Sequence, residues 1–237
     1  MEPKNRTAVI TGATGVLSSY VAQTLSERGY NLALLDHRPD RLAALVKSLN
    51  LPESRILARI TNLLDSIETK AAAEVIAAKF GRVDILLHLV GGWTGGKTLV
   101  EASADDLTFM LNQHVWTSFH VTKAFVPYLI QNSWGRVIVI TSPFASRPGS
   151  KGGPYVIAKA GQEALMMTLA QELKGTGVTA NLIQVKTIDV KRKKVSAAST
   201  ENSSWSTPEE ITSSIIYLLS DEAGTVNGAK IPLSLYE

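Results

Sequence analysis

The amino-acid sequence predicts a doubly wound α/β fold built on a parallel sheet, and three observations carry that prediction. Short β-branched or leucine-rich runs alternate with longer helical patterns almost from end to end. One of those runs, Val83–Val90, is nearly all apolar, as expected for a strand covered by helices on both faces. The chain has 237 residues with no internal repeat and no linker-like stretch, enough for one core that needs no covalent staples. Strands that alternate with helices in this way pair in parallel through right-handed crossovers.

Taken in order, Thr7–Ile10 reads as the first strand. Val16–Arg28 follows as a helix, with Val16, Leu17, Tyr20, Val21 and Leu25 on one apolar face. Leu32–Leu35 is a second strand with the helix Pro39–Leu49 behind it, and Ile56–Ile60 a third, followed by the alanine-rich helix Ile67–Phe80. After the fourth strand come a long helical region (Ala104–Gln131), a strand at Val137–Thr141 and a helix at Tyr155–Leu173. Val178–Val185 is a strand, Thr207–Leu219 a helix and Ala229–Leu233 a closing strand. Lys186–Ser206 breaks the alternation, being polar and basic without clear period. A segment of that length inside a compact domain is expected to be a lid or binding loop, here over substrate or cofactor. We therefore expect a single domain over residues 1–237.

Composition narrows the chemistry. With no cysteine there are no disulfides, thiolate nucleophiles, iron–sulfur clusters or Cys-ligated zinc, and four scattered His do not suggest a protein-bound metal. A net charge of +3 fits a phosphate-bearing ligand but is too small to argue for nucleic acid. Apolar runs such as Ile85–Leu87 and Val137–Ile140 fall far short of the roughly 18 residues a membrane span needs. The stretch MEPKNRTAVI lacks a signal-type apolar segment, so a soluble cytoplasmic protein is expected.

The first strand runs straight into Thr11-Gly12-Ala13-Thr14-Gly15-Val16-Leu17-Ser18, where a helix opens. A glycine-rich strand-to-helix turn lets backbone amides approach a pyrophosphate, whose charge the helix N-terminus favours. A P-loop is excluded because no Gly-Lys-Ser/Thr follows. Gly12 and Gly15 are three apart and Ser18 stands where a third glycine would be. Such turns also occur in folds that bind nothing. Asp36 lies 24 residues after Gly12, at the end of the second strand. A carboxylate there can accept from both ribose hydroxyls of NAD and would repel a 2′-phosphate. His37 and Arg38 follow directly, and Arg38 could reach that phosphate. NAD is the favoured reading, with NADP open.

Tyr155-Val156-Ile157-Ala158-Lys159 begins a helix, and residues four apart share a helical face. A phenol titrates near pH 10, and a nearby ammonium would move it toward the working range. Ser142, 13 residues before Tyr155, can hydrogen-bond a substrate oxygen. Together they would protonate that oxygen while a nicotinamide delivers hydride to the carbon. The pair alone is common; it becomes specific beside the glycine turn and Asp36.

In that combination the sequence resembles the short-chain dehydrogenases/reductases over nearly its whole length. Thr11–Ser18 is similar to the family's cofactor turn, and Ser142, Tyr155 and Lys159 to its catalytic Ser, Tyr and Lys. The resemblance implies a Rossmann-like, seven-stranded parallel sheet flanked by helices in a three-layer sandwich, a nicotinamide cofactor and a homo-oligomer, a tetramer or dimer. It implies a cofactor held by Gly12, Thr14, Gly15, Val16, Leu17, Asp36, His37, Arg38, Asn62, Leu63, Val90, Gly91, Gly92, Tyr155, Lys159, Thr187 and Ile188. There are departures. His88-Leu89-Val90-Gly91 replaces the usual Asn-Asn-Ala-Gly, Asn62 a frequent Asp, and Val185-Lys186 the usual Pro-Gly. His114 stands where the family places a catalytic Asn, with Asn112 two residues away. Val90-Gly91-Gly92-Trp93 with Gly95-Gly96, Trp116-Thr117-Ser118, Thr187-Ile188-Asp189 and Ser204-Trp205 before Pro208 resemble the dihydropteridine reductase branch, implying a quinonoid pterin-like substrate as one candidate.

Several readings stay open. Trp93 and Trp205 are candidates to line a substrate pocket or to pack loops. His114 is a proton-relay or a structural group, and His88 a partly buried strand residue or a cofactor contact. Lys191–Lys194 is a solvated lid segment or an anion grip. Met166 and Met167 suit core or subunit contact. Against the enzyme stands a nucleotide-binding sensor or scaffold that has lost turnover.

Overall fold

In the computed structural model, residues 5–191 and 205–233 are described. Seven strands form one parallel sheet in the order β3-β2-β1-β4-β5-β6-β7. They are β1 (Thr7–Thr11), β2 (Asn31–Asp36), β3 (Ile56–Ile60), β4 (Ile85–His88), β5 (Gly135–Thr141), β6 (Val178–Gln184) and β7 (Lys230–Pro232). The helices are α1 (Val16–Glu27), α2 (Pro39–Leu49), α3 (Ser66–Phe80), α4 (Ala104–Leu111), α5 (Thr117–Gln131), α6 (Gly153–Glu172) and α7 (Pro208–Leu218).

Strand alternation builds two cores from one sheet. Ala8, Ile10, Leu32, Leu34, Ile85 and Leu87 face α1, α2 and α7. Their neighbours Val9, Ala33, Leu35 and Leu86 face α3, α5 and α6. Because side chains point alternately to opposite faces, both registers must be apolar, and the central strands are. The expected elements stand within a residue or two of their observed ends, and helix starts are marked by side chains. Asp65 accepts from Ile67 N and Glu68 N at α3, and capping boxes Ser103/Asp106 and Thr207/Glu210 open α4 and α7.

Three expectations are corrected. The strand expected over Val83–Val90 pairs only from Ile85 to His88, and Leu89 to Gly91 leave the sheet toward the crevice. The expected face of α1 is only partly buried: Leu17, Val21 and Leu25 are inside, whereas Val16 is 59% and Tyr20 36% exposed. The first turn of α1 lies beyond the C-terminal end of β1, where Val16 borders a cavity rather than a core. The long helical region is interrupted at Asn112–Trp116 by one π-turn, in which Thr117 N bonds to Asn112 O. Of the lid segment expected at 186–206, residues 192–204, which include Arg192–Lys194 and Ser204, lie outside the described residues. Its two ends are tied together: Asp189 N donates to Ser206 O at 2.8 Å and Ser206 N to Thr187 O at 2.9 Å. Among the described residues, no helix is long and apolar enough to cross a membrane, and no His/Asp/Glu cluster could hold a metal.

Candidate functional site

The strand order reverses direction between β1, which leads outward to β2 and β3, and β4, which starts the other half. Open α/β sheets bind ligands in the crevice beyond the strand C-termini at such a point. At that place Gly12 turns the chain with φ +65°, and a Cβ there would lie 3.1 Å from the Val90 backbone. Glycine is therefore required twice, for the left-handed conformation and for the close approach. Gly15 caps α1 with no side chain across its N-terminus, leaving the first helical amides open to an anion.

Two cavities meet here. One, of about 480 Å³, is lined by Gly12, Asp36, His37, Arg38, Asn62, Leu63 and Gln113 among others. The second, of about 460 Å³, is lined by Val16, Leu17, Gly92, Trp93, His114, Tyr155, Lys159, Thr187 and Ile188. Gly15, Leu89, Val90 and Gly91 line both, so the two form one elongated crevice with the α1 N-terminus at its middle. These residues fit a dinucleotide: a pyrophosphate against α1, and a nucleoside to either side. Thr14 reaches this site only through Asp36. Trp205 lines neither cavity, and the fully buried Ser142 does not either.

Asp36 is 3% exposed and its carboxylate is already engaged. Thr14 N and Oγ1 both donate to Oδ2 at 2.9 Å. Arg38 N and Nε donate to Oδ1 at 3.0 Å, and Arg38 Nη2 to Oδ2 at 3.2 Å. Burial alone would raise its pKa, but the Arg38 guanidinium and the Thr14 donors outweigh it and hold the carboxyl well below the usual range. His37 and Arg38 carry the exposed part of this cluster, with side chains 77% and 36% accessible.

At the other end, Ser142 caps a single 3₁₀ turn after β5, accepting from Phe144 N at 3.3 Å. Tyr155 follows Pro154 in the first turn of α6. Burial pushes its phenol above the ordinary value, and a hydrogen bond with Ser142 acts in the opposite direction. Lys159 is buried and donates to Ile140 O at 2.8 Å and Gln162 Oε1 at 2.9 Å. Burial lowers its pKa to about 7, while the Glu163 carboxylate pulls it upward. The expectation that the ammonium lowers the Tyr155 pKa is not met: burial and Ser142 act on that phenol, and the bonds of Lys159 run to β5 and to Gln162. Glu163 in turn accepts from Thr141 at 2.9 Å and pairs with Lys230.

The two imidazoles are built in rather than exposed. His88 is fully buried, with Nδ1 2.7 Å from Thr11 Oγ1 and Nε2 3.3 Å from Thr117 Oγ1. Since the Thr117 hydroxyl donates to Gln113 O, His88 must donate through Nε2 and accept through Nδ1, the neutral form. His114 sits in the π-turn with Nε2 3.0 Å from Gly92 O, so its proton is on Nε2 and the buried Nδ1 has no partner. Its ring lies edge-on to Tyr155 at 5.6 Å. Burial first, then the Lys159 charge, lowers both imidazoles to about 3. The sequence missed Gln113, Gln162 and Glu163; polar residues on helices, they carried no motif.

These imidazoles set a pH dependence. Unfolded His titrates near 6.5, so above that pH both states are neutral and nothing is lost. As pH falls from about 6.5 toward 3 the unfolded chain takes up protons that the folded one refuses. Stability then drops by up to about 1.4 kcal/mol per pH unit for each imidazole. Urea midpoints measured from pH 7.5 to 5 should fall steeply for the parent and less steeply for His88→Asn; parallel curves would contradict the assignment.

A family model described as short chain dehydrogenase matches residues 6–201. The chain is 25% identical to the 3-oxoacyl-(acyl-carrier-protein) reductase FabG of Thermotoga maritima over 241 residues, covering 98% of this chain and 97% of that protein. It is 27% identical to the acetoacetyl-CoA reductase of Cupriavidus necator over 243 residues, covering 97% and 96%. Among solved structures it superposes on an NADPH-bound short chain oxidoreductase of Pseudomonas aeruginosa PAO1, described as containing an atypical catalytic center. The TM-score is 0.87 at 22% identity, with 100% of both chains covered. With the Gly12 turn, the crevice at the β1/β4 reversal and the Ser142, Tyr155 and Lys159 positions in one place, the chain belongs to the short-chain dehydrogenase/reductase family and is an NAD(P)-dependent oxidoreductase.

Proposed function

We propose that the protein moves hydride between a nicotinamide and a carbonyl/alcohol substrate, with Tyr155 as general acid/base. The observation that carries this reading is the shared wall on which Tyr155 and Lys159 line the second cavity. The bound nicotinamide supplies the hydride. A phenol pushed up by burial stays protonated at neutral pH, ready to donate to an oxygen gaining charge, so the resting site suits reduction. The Ser142 hydroxyl opposes the upward push of burial on the phenol, and Lys159 places a cation in the wall. Trp93, Val16 and Ile188 add apolar surface to the lining of that cavity. Its relatives, a 3-oxoacyl-(acyl-carrier-protein) reductase and an acetoacetyl-CoA reductase, support a carbonyl group. Tyr155→Phe should leave the NADPH dissociation constant within about threefold and lower kcat by roughly 10²–10⁴. A screen over acetoacetyl thioesters, simple ketones and quinonoid dihydropterin reads this out. Tight NADPH binding with no turnover on any of them would favour the scaffold reading instead.

For the cofactor, the sequence favours NAD on Asp36, yet that carboxylate is saturated by Thr14 and Arg38. We read the adenosine end as accepting NADPH, its 2′-phosphate facing the accessible Arg38 and His37. The NADPH-bound neighbour supports this. Arg38→Ala removes a charge-assisted contact and releases Asp36. Fluorescence titration should then show NADPH weakened by about 10- to 100-fold and NADH unchanged or tighter. Equal losses for both would contradict it.

The outer face of α4 and α5 exposes Phe109, Trp116 and Phe119, with Trp116 and Phe119 edge-on at 6.1 Å. Aromatic patches of this kind on a soluble protein mark contact surfaces, and we assign this one to a homo-oligomer. Light scattering after size exclusion should give a multiple of 25.5 kDa that falls to the monomer mass in Phe119→Glu. A monomeric parent would overturn it.

A further inference from the structure

Gln162 belongs to no motif and lies one turn after Lys159 on α6, at 0% exposure. All of its amide is used. Oε1 accepts from Lys159 Nζ at 2.9 Å, while Nε2 donates to Ser118 Oγ at 2.8 Å and to His114 O at 3.1 Å. The Ser118 hydroxyl donates to His114 O at 2.5 Å. The direction of this chain is fixed. An ammonium only donates, so the amide oxygen must face it, and the amide nitrogen must then find acceptors. Ser118 spends its proton on His114 O and offers Gln162 its lone pairs.

The chain therefore runs one way, from Lys159 through Gln162 and Ser118 to the carbonyl of His114. That carbonyl belongs to the π-turn, and the ring of the same residue meets Tyr155. We propose that Gln162 is a positioning residue: it holds the Lys159 ammonium against β5 and ties it to the π-turn, so that Lys159 and the His114 wall of the crevice keep one relative placement. A buried side chain with every polar group paired costs more to build than an apolar one of the same volume. Its yield is a strut that Met or Leu cannot provide. The titratable groups around Lys159 are Glu163 and Tyr155 on its own helix, His88 at the end of β4 and His114 in the π-turn. Of these only Glu163 carries an opposite charge, and it is already paired with Lys230. Gln162 thus supplies the neutral acceptor that the ammonium has on this helix.

The inference rests on the oxidoreductase reading for its effect on turnover but not for its effect on Lys159, and the test separates the two. In full-length protein carrying ¹³C-lysine, the Lys159 resonance is assigned by its loss in Lys159→Met and followed from pH 5 to 10. Gln162→Met should lower the Lys159 midpoint, and Gln162→Glu, which keeps an acceptor and adds a charge, should raise it by a unit or more. Ser118→Ala, which leaves Lys159 untouched, should shift it in the same direction as Gln162→Met but less. In the active enzyme the pH profile of kcat should move with the midpoint, with kcat about tenfold lower in Gln162→Met and restored toward the parent in Gln162→Glu below its new midpoint. If Gln162→Met does not fold, the Gln162→Glu and Ser118→Ala arms decide. Midpoints and pH profiles that stay at parental values while only the melting temperature falls would overturn the proposal. Midpoints that move in a protein that turns over no substrate would uphold it and sink the oxidoreductase reading.

Discussion

The approach of the Gly12 turn to the Val90 backbone is the contact on which the rest of the site depends. β1 and β4 are paired from Ala8/Ile85 to Thr11/His88, after which the two chains must separate to opposite sides of the crevice. They do so without a side chain between them, since a Cβ at Gly12 would press on Val90. Just beneath, Thr11, His88 and Thr117 close the seam with a buried hydrogen-bonded clasp. A sheet whose strands were apolar to their tips would pack as well but would leave the crevice floor free to slide. The clasp fixes where the strands end, and therefore where α1 points.

A dry floor creates an electrostatic problem that the surrounding residues resolve. Lys159 is one buried cation next to two buried imidazoles, and three positive charges in so small a volume would be intolerable. Burial and the Lys159 charge keep both imidazoles neutral, so a single charge remains. The same burial raises the phenol and lowers the ammonium, so that a proton sits firmly on Tyr155 and loosely on Lys159. The Asp36 end of the crevice works in the opposite way, with many donors converging on one carboxylate.

The alternation of strand and helix could be read because parallel strands must be apolar on both faces, and Ile85–Leu87 or Val137–Ile140 have no other use. Gly12, Ser142, Tyr155 and Lys159 were legible as candidates because they stand out by local spacing, at the end of a strand or along one turn of helix. What stayed hidden was of two kinds. Partners distant in sequence, such as Thr14 with Asp36 or Gln162 with the His114 carbonyl, leave no periodic trace. A π-turn changes the register by a single residue, so Asn112–Trp116 keeps a helical look in the sequence. Val16 misled in a third way, an apolar residue whose neighbour is a ligand crevice instead of a core.

The knot at Ile188 and Ser206 has a wider meaning. The chain leaves the end of β6 and returns to α7 through adjacent positions, with Ser206 Oγ also anchored to Leu233 O at 2.9 Å. Closing a loop of twice the length costs only about 0.6 kcal/mol. A sheet whose exit at Ile188 and return at Ser206 are tied to each other can therefore take changes of length between them while β6, α7, the crevice and the clasp keep their places.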